Sequence, residues 1–216
     1  MKQNKSKIVL VDYGLGNLYS LLRAIRSFDV DIELTEEPEE IEKSDGILLP
    51  GVGSFAAGMR GLELRGLTRA IKKVAAQNKP MLGICLGAQL LLTEGHEFGR
   101  HSGLDIIKGK VVKFPSFEKP EKIPHVGWNS IGAPSAAVSW RNTIFDGLGE
   151  RDRVYFVHSY IMQPVEEADI LAVTSYGGYK FCSAVRKSNI YGCQFHPEKS
   201  GQVGLKIIKN FIDLVR

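Results

Sequence analysis

The sequence predicts an α/β fold: an open, twisted, mostly parallel sheet with helices on both faces, and added antiparallel strands in the C-terminal half. In the first half of the 216 residues, short apolar runs alternate with stretches of helical periodicity. Such alternation is typical of a parallel sheet with helical crossovers. In the second half, β-prone runs follow one another between Gly, Pro and Asn. One core suffices at this length, so we expect a single domain over residues 1–216.

The elements follow in chain order from these patterns. Apolar runs predict four early strands, at residues 7–11, 32–34, 46–49 and 80–84. Apolar residues spaced three and four apart predict helices between them, one beginning near Leu18 and another containing Phe55. Later β-prone runs predict strands at residues 110–114, 126–128, 154–160, 170–174 and 181–186. A final amphipathic helix, with Ser200 as its predicted N-cap, packs back on the sheet.

The fourth strand ends in Gly83-Ile84-Cys85-Leu86-Gly87, which has the form of a nucleophile elbow with a thiol in place of a hydroxyl. Side chains at the two glycine positions would collide with the backbone of so sharp a turn. A helix from Leu86 through Leu92 would direct its unpaired amides and its dipole at Cys85 and favour the thiolate. Taken alone, the pattern fits an ordinary buried cysteine in a glycine-containing turn equally well, so a partner base is needed.

A candidate base lies near the C-terminus, where a predicted strand at residues 191–195 runs into His196-Pro197-Glu198. The proline restricts the backbone, so the imidazole and the carboxylate project from a stiff corner. Glu198 can accept from one ring nitrogen while the other faces the sulfur, as in a Cys-His-acid triad. A capped surface turn would explain this tripeptide alone, but its combination with the elbow favours catalysis.

A third glycine turn, Pro50-Gly51-Val52-Gly53, follows the third strand. Backbone amides freed at such a turn can stabilise an oxyanion, and we expect the amides of Gly53 and Leu86 to do so. A tight turn that needs positive φ angles would have the same sequence. Ligands of open parallel sheets bind beyond the carboxyl ends of the strands, where this turn, Cys85 and Asp12 are all predicted to lie.

Six motifs that extend over nearly the whole chain carry a resemblance to a known family. They are Asp12-Tyr13-Gly14-Leu15-Gly16-Asn17-Leu18, Pro50-Gly51-Val52-Gly53-Ser54-Phe55, Gly83-Ile84-Cys85-Leu86-Gly87, Pro124-His125-Val126-Gly127-Trp128-Asn129, Tyr155-Phe156-Val157-His158-Ser159-Tyr160 and Gln194-Phe195-His196-Pro197-Glu198-Lys199-Ser200. Together they resemble the class-I glutamine amidotransferases, most closely the glutaminase subunit of imidazole glycerol phosphate synthase. The cysteine and His-Pro-Glu motifs are shared across that family, whereas the Gly-Asn-Leu loop, Pro-Gly-Val-Gly and Gly-Trp-Asn are specific to this subunit type.

The resemblance implies a flavodoxin-like fold and a reaction in which glutamine is hydrolysed to glutamate and ammonia without a metal or a cofactor. Carried over by position, it makes Cys85 the nucleophile, His196 the base and Glu198 the residue that orients the base. It also implies contacts with substrate glutamine from Gln89, Glu97, His158, Ser159 and Tyr160. Glu94 is an alternative to Glu97, since it lies about one helical turn away.

The resemblance further implies a heterodimer with a (β/α)-barrel cyclase, which receives the ammonia and forms imidazole glycerol phosphate in histidine biosynthesis. The residues implied to face this partner are Asn17, Trp128, Tyr155 and Lys199. A tryptophan in a Gly-Trp-Asn turn could equally belong to the core.

One departure leaves the ammonia acceptor open. Ala88 stands where the family usually has methionine, and the stretch at residues 95–101 is longer than usual. Paralogues of this subunit deliver ammonia to a different synthase in surface-sugar biosynthesis, which is the alternative acceptor. Two alternatives of other classes are a stand-alone cysteine hydrolase and a binding module that has lost its chemistry.

Composition argues against several other functions. The 28 basic and 24 acidic residues are interspersed, so the net charge of +4 indicates a solvated surface and no nucleic-acid partner. No apolar stretch approaches the ~20 residues of a membrane span, and the run after the N-terminal lysines is too short for a signal peptide. Tyr19 occupies the third position of a dinucleotide fingerprint, and the histidines lack zinc-site spacing. Three cysteines cannot all pair, and Cys182 and Cys193 lie in predicted strands, so we expect a reducing cytoplasm.

Overall fold

The computed structural model describes residues 6–117 and 121–216, in which helices and strands alternate through the first half and strands predominate in the second. The first half contains β1 (Lys7–Val11), α1 (Leu18–Ile25), β2 (Asp31–Thr35), α2 (Pro38–Lys43), β3 (Gly46–Leu49), α3 (Phe55–Leu64), α4 (Leu67–Ala76), β4 (Met81–Ile84), α5 (Leu86–Leu90), β5 (Leu92–Gly95) and β6 (His101–Ser102). The second half contains β7 (Ile107–Lys113), β8 (His125–Ser130), β9 (Arg153–His158), β10 (Tyr160–Pro164), β11 (Ile170–Tyr176), β12 (Tyr179–Lys187), β13 (Ile190–Cys193) and α6 (Gly201–Val215). Short 3₁₀ turns lie at Glu167–Asp169 and Pro197–Lys199.

A parallel five-stranded array, in the order β2-β1-β3-β4-β13, forms the centre of the main sheet. Antiparallel pairing then extends the sheet from β13 through β12 and β10 to β7, with β11 also antiparallel to β12. Beyond β7, β5 pairs parallel to β7, and β6 pairs antiparallel to β5. The predicted fold class is confirmed: an α/β sheet with a parallel centre and antiparallel strands added from the C-terminal half.

Helices cover both faces of this sheet. Along β1, Ile8 and Leu10 pack into one hydrophobic cluster, whereas Val9 and Val11 pack into the other. Helices α1 and α6 contribute to the first cluster, and α2 to α5 contribute to the second. Because both faces are covered, β3, β4 and β13 are buried along their whole length, which explains their continuous apolar sequences.

Three details of the sequence prediction are wrong. The helix after Cys85 ends at Leu90, because the chain from Leu92 pairs with β7 as strand β5. The predicted strand at residues 154–160 is broken at Ser159, since β9 pairs with β8 in a separate two-stranded sheet while β10 joins the main sheet. Ser200 occupies the N-cap position of α6, but its hydroxyl bonds to Tyr155 and His196 instead of capping the helix.

Two regions considered in the sequence lie partly outside the described residues. Residues 1–5 of the lysine-containing N-terminus and residues 118–120 of the segment 115–124 are outside the described ranges. Next to the second gap, Phe117 packs against Phe114 with ring centroids 5.5 Å apart. No helix in the described part of the chain is both long and apolar enough to cross a membrane.

Candidate active site

Cys85 lies at a strained turn between β4 and α5. Its φ of 53° and ψ of −110° are unusual for a residue with a side chain, and its N–H is held by the carbonyl of Cys193 at 2.7 Å. A Cβ on Gly87 would lie 1.7 Å from the carbonyl oxygen of Leu49, and one on Gly83 would lie 2.8 Å from the backbone of Ala88. The flanking glycines therefore allow the close backbone approach that the sequence pattern predicted.

His196 and Glu198 form a buried pair beside this turn. The Nδ1 atom of His196 lies 2.8 Å from Oε1 of Glu198, and both side chains are almost wholly buried. Burial lowers the pKa of His196, but the Cys85 sulfur and the Glu198 carboxylate outweigh burial and raise the pKa to about 9. Nε2 of His196 has no hydrogen-bond partner among the described residues. The structure thus brings Cys85, His196 and Glu198 together, with Nδ1 of the imidazole held by the carboxylate.

The Pro50–Gly53 turn packs directly on this elbow. The N–H of Leu86, one of the two predicted oxyanion donors, points at the carbonyl oxygen of Gly51 over a long 3.4 Å. Gly53, the other, has a φ of 110° and open space around it. Tyr13 donates its hydroxyl to the carbonyl of Pro50 at 2.6 Å. In this arrangement the Leu86 amide is bonded to the turn by one long hydrogen bond.

Residues implied to contact glutamine lie in a continuous set beside Cys85. Gln89 is buried on α5, and its side-chain nitrogen lies 3.4 Å from the carbonyl of Tyr160. The ring of His158 bonds to the same carbonyl through Nδ1 at 2.8 Å. Ser159 is half-buried between them at the break separating β9 from β10.

Glu97 and Glu94, the two alternatives for one substrate contact, have different surroundings. Glu97 accepts from the backbone N–H of Phe55 at 2.7 Å and helps burial raise the pKa of the Tyr160 hydroxyl. Glu94 instead pairs with His96 and Arg100, and hydrogen bonds from these two partners lower its pKa. The geometry therefore favours Glu97 as the carboxylate near the candidate site.

Three further residues reach the site that the sequence did not single out. Gln194 is fully buried, with Nε2 3.9 Å from the Cys85 sulfur and Oε1 2.9 Å from the Gln89 nitrogen. Burial and the nearby Cys85 raise the pKa of the Tyr13 hydroxyl, which keeps that group protonated as a donor. His125 lies 3.1 Å from His158. Tyr13, His125 and Gln194 stand in three of the quoted motifs, but nothing in their spacing indicates which atoms they contact.

The residues that are implied to face a partner lie on one side of the molecule. Trp128 is 48% exposed and packs edge-on against Tyr155, with ring centroids 6.2 Å apart. The ammonium of Lys199 lies over the Tyr155 ring, 6.0 Å from its centroid. Asn17 caps α1 through its side chain and lines a small cavity with His196 and Glu198. Trp128, Tyr155 and Lys199 thus form a mixed aromatic and basic surface, and Asn17 lies beside the base.

Comparison with known proteins adds four findings. The family model of class-I glutamine amidotransferases matches residues 9–214. Imidazole glycerol phosphate synthase subunit HisH 1 of Legionella pneumophila (strain Paris) is 45% identical over 212 residues, which cover 97% of this chain and 100% of the relative. Subunit HisH of Syntrophotalea carbinolica is 44% identical, with 96% and 100% covered. The crystal structure of a glutamine amidotransferase from Thermotoga maritima matches the fold with a TM-score of 0.62 at 17% identity, covering 98% of this chain and 84% of that one.

Proposed function

This chain belongs to the class-I glutamine amidotransferases and, among them, to the HisH subunits of imidazole glycerol phosphate synthase; from that membership we propose that it hydrolyses glutamine and passes the ammonia to a cyclase. The proposal assigns nucleophilic attack to Cys85, proton transfer to His196 and orientation of the base to Glu198. The family match over residues 9–214 supports one glutaminase domain as the working unit.

The observation that carries this proposal is the convergence of Cys85 and His196 from distant parts of the chain. The strained backbone of Cys85 presents its sulfur at the carboxyl edge of the sheet, next to a base already held by Glu198. At neutral pH the raised pKa of His196 keeps the ring protonated, so it can donate a proton to a departing group. Strain maintained at one residue and a pKa shift on its neighbour are both typical of functional sites.

The reaction then proceeds through two acyl-transfer steps. The Cys85 sulfur bonds to the carboxamide carbon of glutamine, and the carbon–nitrogen bond breaks as His196 gives its proton to the leaving nitrogen. Ammonia departs, and a thioester remains. His196 next removes a proton from water, which attacks the thioester carbonyl and releases glutamate from the regenerated cysteine. The amides of Gly53 and Leu86 are proposed to hold the oxyanion in both steps, after the turn has moved off Leu86.

Glutamine is proposed to bind in the space bounded by Gln89, Glu97 and the strand break at residues 158–160. Glu97 would pair with the substrate ammonium, because it is the carboxylate that adjoins Tyr160. His158 would act as a neutral ring, since burial lowers its pKa to about 3.

The cyclase is proposed to bind at the surface formed by Trp128, Tyr155 and Lys199. An exposed tryptophan flanked by an aromatic ring and a cation is typical of an interface anchor. The name of the HisH relatives as synthase subunits supports imidazole glycerol phosphate formation over the surface-sugar alternative. A reducing, cytoplasmic location fits the proposal, because Cys85, Cys182 and Cys193 are all free thiols.

Replacement of the nucleophile tests this function. We expect Cys85→Ala to abolish synthesis of imidazole glycerol phosphate from glutamine, while added ammonium salt still supports the cyclase bound to the variant. The measurement is product formation by the reconstituted complex with each nitrogen source. Cys182→Ala is the matched control, since it removes another buried thiol outside the site and should keep both activities. Loss of the ammonium-dependent activity in Cys85→Ala, or retention of the glutamine-dependent one, would contradict the proposal.

A further inference from the structure

A buried chain of hydrogen bonds ends at the Cys85 sulfur, and we propose that Gln194 is the positioning residue in that chain that holds the sulfur for attack. The inference rests on the proposed function, because it concerns the same nucleophile. Strand register brings Gln194 and Cys85 together. β13 runs parallel to β4 with Cys193 opposite Ile84, and Gln194 and Cys85 are the residues that directly follow these two. The side chain of Gln194 is fully buried at that point.

A backbone carbonyl fixes which end of each amide faces the sulfur. The carbonyl of Tyr160 can only accept, so the nitrogen of Gln89 must be the atom that faces it, at 3.4 Å. The second hydrogen of that nitrogen is directed at Gln194, which must therefore present its oxygen, at 2.9 Å. The remaining end of the Gln194 amide is its nitrogen, 3.9 Å from the Cys85 sulfur. The Gln194 amide thus directs a donor at the sulfur, whose thiol hydrogen can in turn be donated to the carbonyl of Val157, 4.0 Å away.

His158 bonds to the other side of the same carbonyl and is itself bonded to His125. Nδ1 of His158 donates to Tyr160 at 2.8 Å, and because burial lowers the pKa of His158 the ring is neutral. Its Nε2 atom must then accept from Nδ1 of His125, 3.1 Å away. The ring of His125 is stacked between Tyr176 and Phe156, at centroid distances of 4.0 and 4.8 Å. The hydrogen-bond chain is therefore anchored at its far end by packed aromatic rings on β9 and β11.

An N–H donor at the sulfur has two consequences for attack on glutamine. It stabilises negative charge on the sulfur, and it restricts rotation of the Cys85 side chain to the direction set by the strained backbone. Methionine in place of Gln194 would keep the volume and remove the donor. Glutamate would keep the shape and replace the donor with a charged acceptor. The two variants therefore separate the contribution of the N–H from that of packing.

The test uses the full chain in complex with its cyclase, as wild type, Gln194→Met and Gln194→Glu. The rate of Cys85 alkylation by iodoacetamide at neutral pH is measured by peptide mass spectrometry, and kcat and KM are measured for glutamine. We expect Gln194→Met to lower both the alkylation rate and kcat by about ten- to a hundredfold, because that is the usual effect of losing one hydrogen bond to a charged group. Gln194→Glu should lower both further, because its carboxylate repels the thiolate. Burial raises the pKa of the other two thiols, Cys182 and Cys193, so they react little.

Gln163→Met is the matched control, since it makes the same replacement on β10 at a residue that is not part of the hydrogen-bond chain. It should change neither the alkylation rate nor kcat. A folded Gln194→Met variant with unchanged alkylation rate and kcat would overturn the inference. If circular dichroism shows that this variant does not fold, Gln194→Asn is measured instead, because its amide is too short to span from Gln89 to the sulfur, and the same expectation applies. Failure of the wild-type complex to hydrolyse glutamine would count against the proposed function and not against the role of Gln194.

Discussion

The charge of His196 is set by two neighbours acting against burial. Burial favours the neutral ring, but Cys85 and Glu198 favour the imidazolium and raise the pKa to about 9. A group with a raised pKa loses its proton as the pH rises through that value, so activity that needs the imidazolium should fall on the alkaline side. Glu198 is thus expected to extend the working range of the base towards higher pH.

Glu198→Gln tests this effect directly. Without the carboxylate the pKa of His196 falls, so the alkaline limb of kcat/KM should move to lower pH by about one to three units, the usual effect of one close opposite charge. The pH profile of ammonia release from glutamine gives the position of the limb. Glu94→Gln is a matched control, because Glu94 pairs with His96, also a histidine two residues away in sequence, and the replacement removes that carboxylate. A limb that stays in place in Glu198→Gln, or moves equally in the control, would show that Glu198 does not tune the base.

Single residues of the site differ in how far the sequence could predict them. Cys85 and His196 stand in motifs whose glycines and proline have local geometric reasons, and the structure brings these two residues together. Gln194 has no such local reason, because its contact with Cys85 depends on the register of two strands that are distant in sequence. Tyr160 takes part through its carbonyl oxygen, an atom that every residue possesses. The sequence therefore indicated the proposed reacting groups but not the hydrogen bonds that hold them.

Among the elements, the turn after β3 and the start of α5 are in direct backbone contact. Gly87 is the tightest point, since any side chain there would meet the carbonyl of Leu49. The adjoining Gly51 would meet the Tyr13 hydroxyl at 2.1 Å if it carried a Cβ. Two glycines and one tyrosine thus define how the proposed oxyanion turn lies against the elbow.

Gly87→Ala should separate these two elements. Because the added methyl group overlaps a carbonyl oxygen, the variant should lose about 1–3 kcal/mol in the free energy of unfolding and most of its glutaminase activity. Urea unfolding and ammonia release measure the two effects. Gly149→Ala is the control, since Gly149 has open space around it, and both quantities should stay near the wild-type values. Full activity in Gly87→Ala would mean that the turn tolerates a displaced elbow.

Elements buried on both faces were the easiest to predict. The strands β1, β3 and β4 have continuous apolar sequences because helices cover them on both sides, and their predicted bounds agree with the structure within a residue. The early end of α5 at Leu90 and the break at Ser159 were not predicted, because pairing with distant strands decides both. Local propensity cannot reveal where a chain leaves one sheet for another.

At the scale of the whole molecule, β9 connects the surface around Trp128 with the base. The N–H of Tyr155 donates to the hydroxyl of Ser200, which in turn donates to the carbonyl of His196. The N–H of His196 donates back to the carbonyl of Tyr155 at 2.9 Å. Both backbone groups of Tyr155 are therefore tied to the segment that carries His196, while its ring packs against Trp128. A partner that binds at Trp128 would therefore contact β9, the strand whose backbone is bonded to His196.

Trp128→Ala tests whether this surface binds the cyclase. An exposed aromatic anchor at an interface contributes about 2 kcal/mol or more, so the dissociation constant of the heterodimer should rise by about thirtyfold. Titration calorimetry with the cyclase measures that constant, and Leu64→Ala, which truncates an apolar side chain 78% exposed on α3, serves as the control. Because the triad is intact in Trp128→Ala, saturating cyclase should restore glutamine-dependent synthesis. If the affinity for the cyclase were unchanged in Trp128→Ala but weakened in Leu64→Ala, the cyclase would bind on the opposite face of the sheet and not at Trp128.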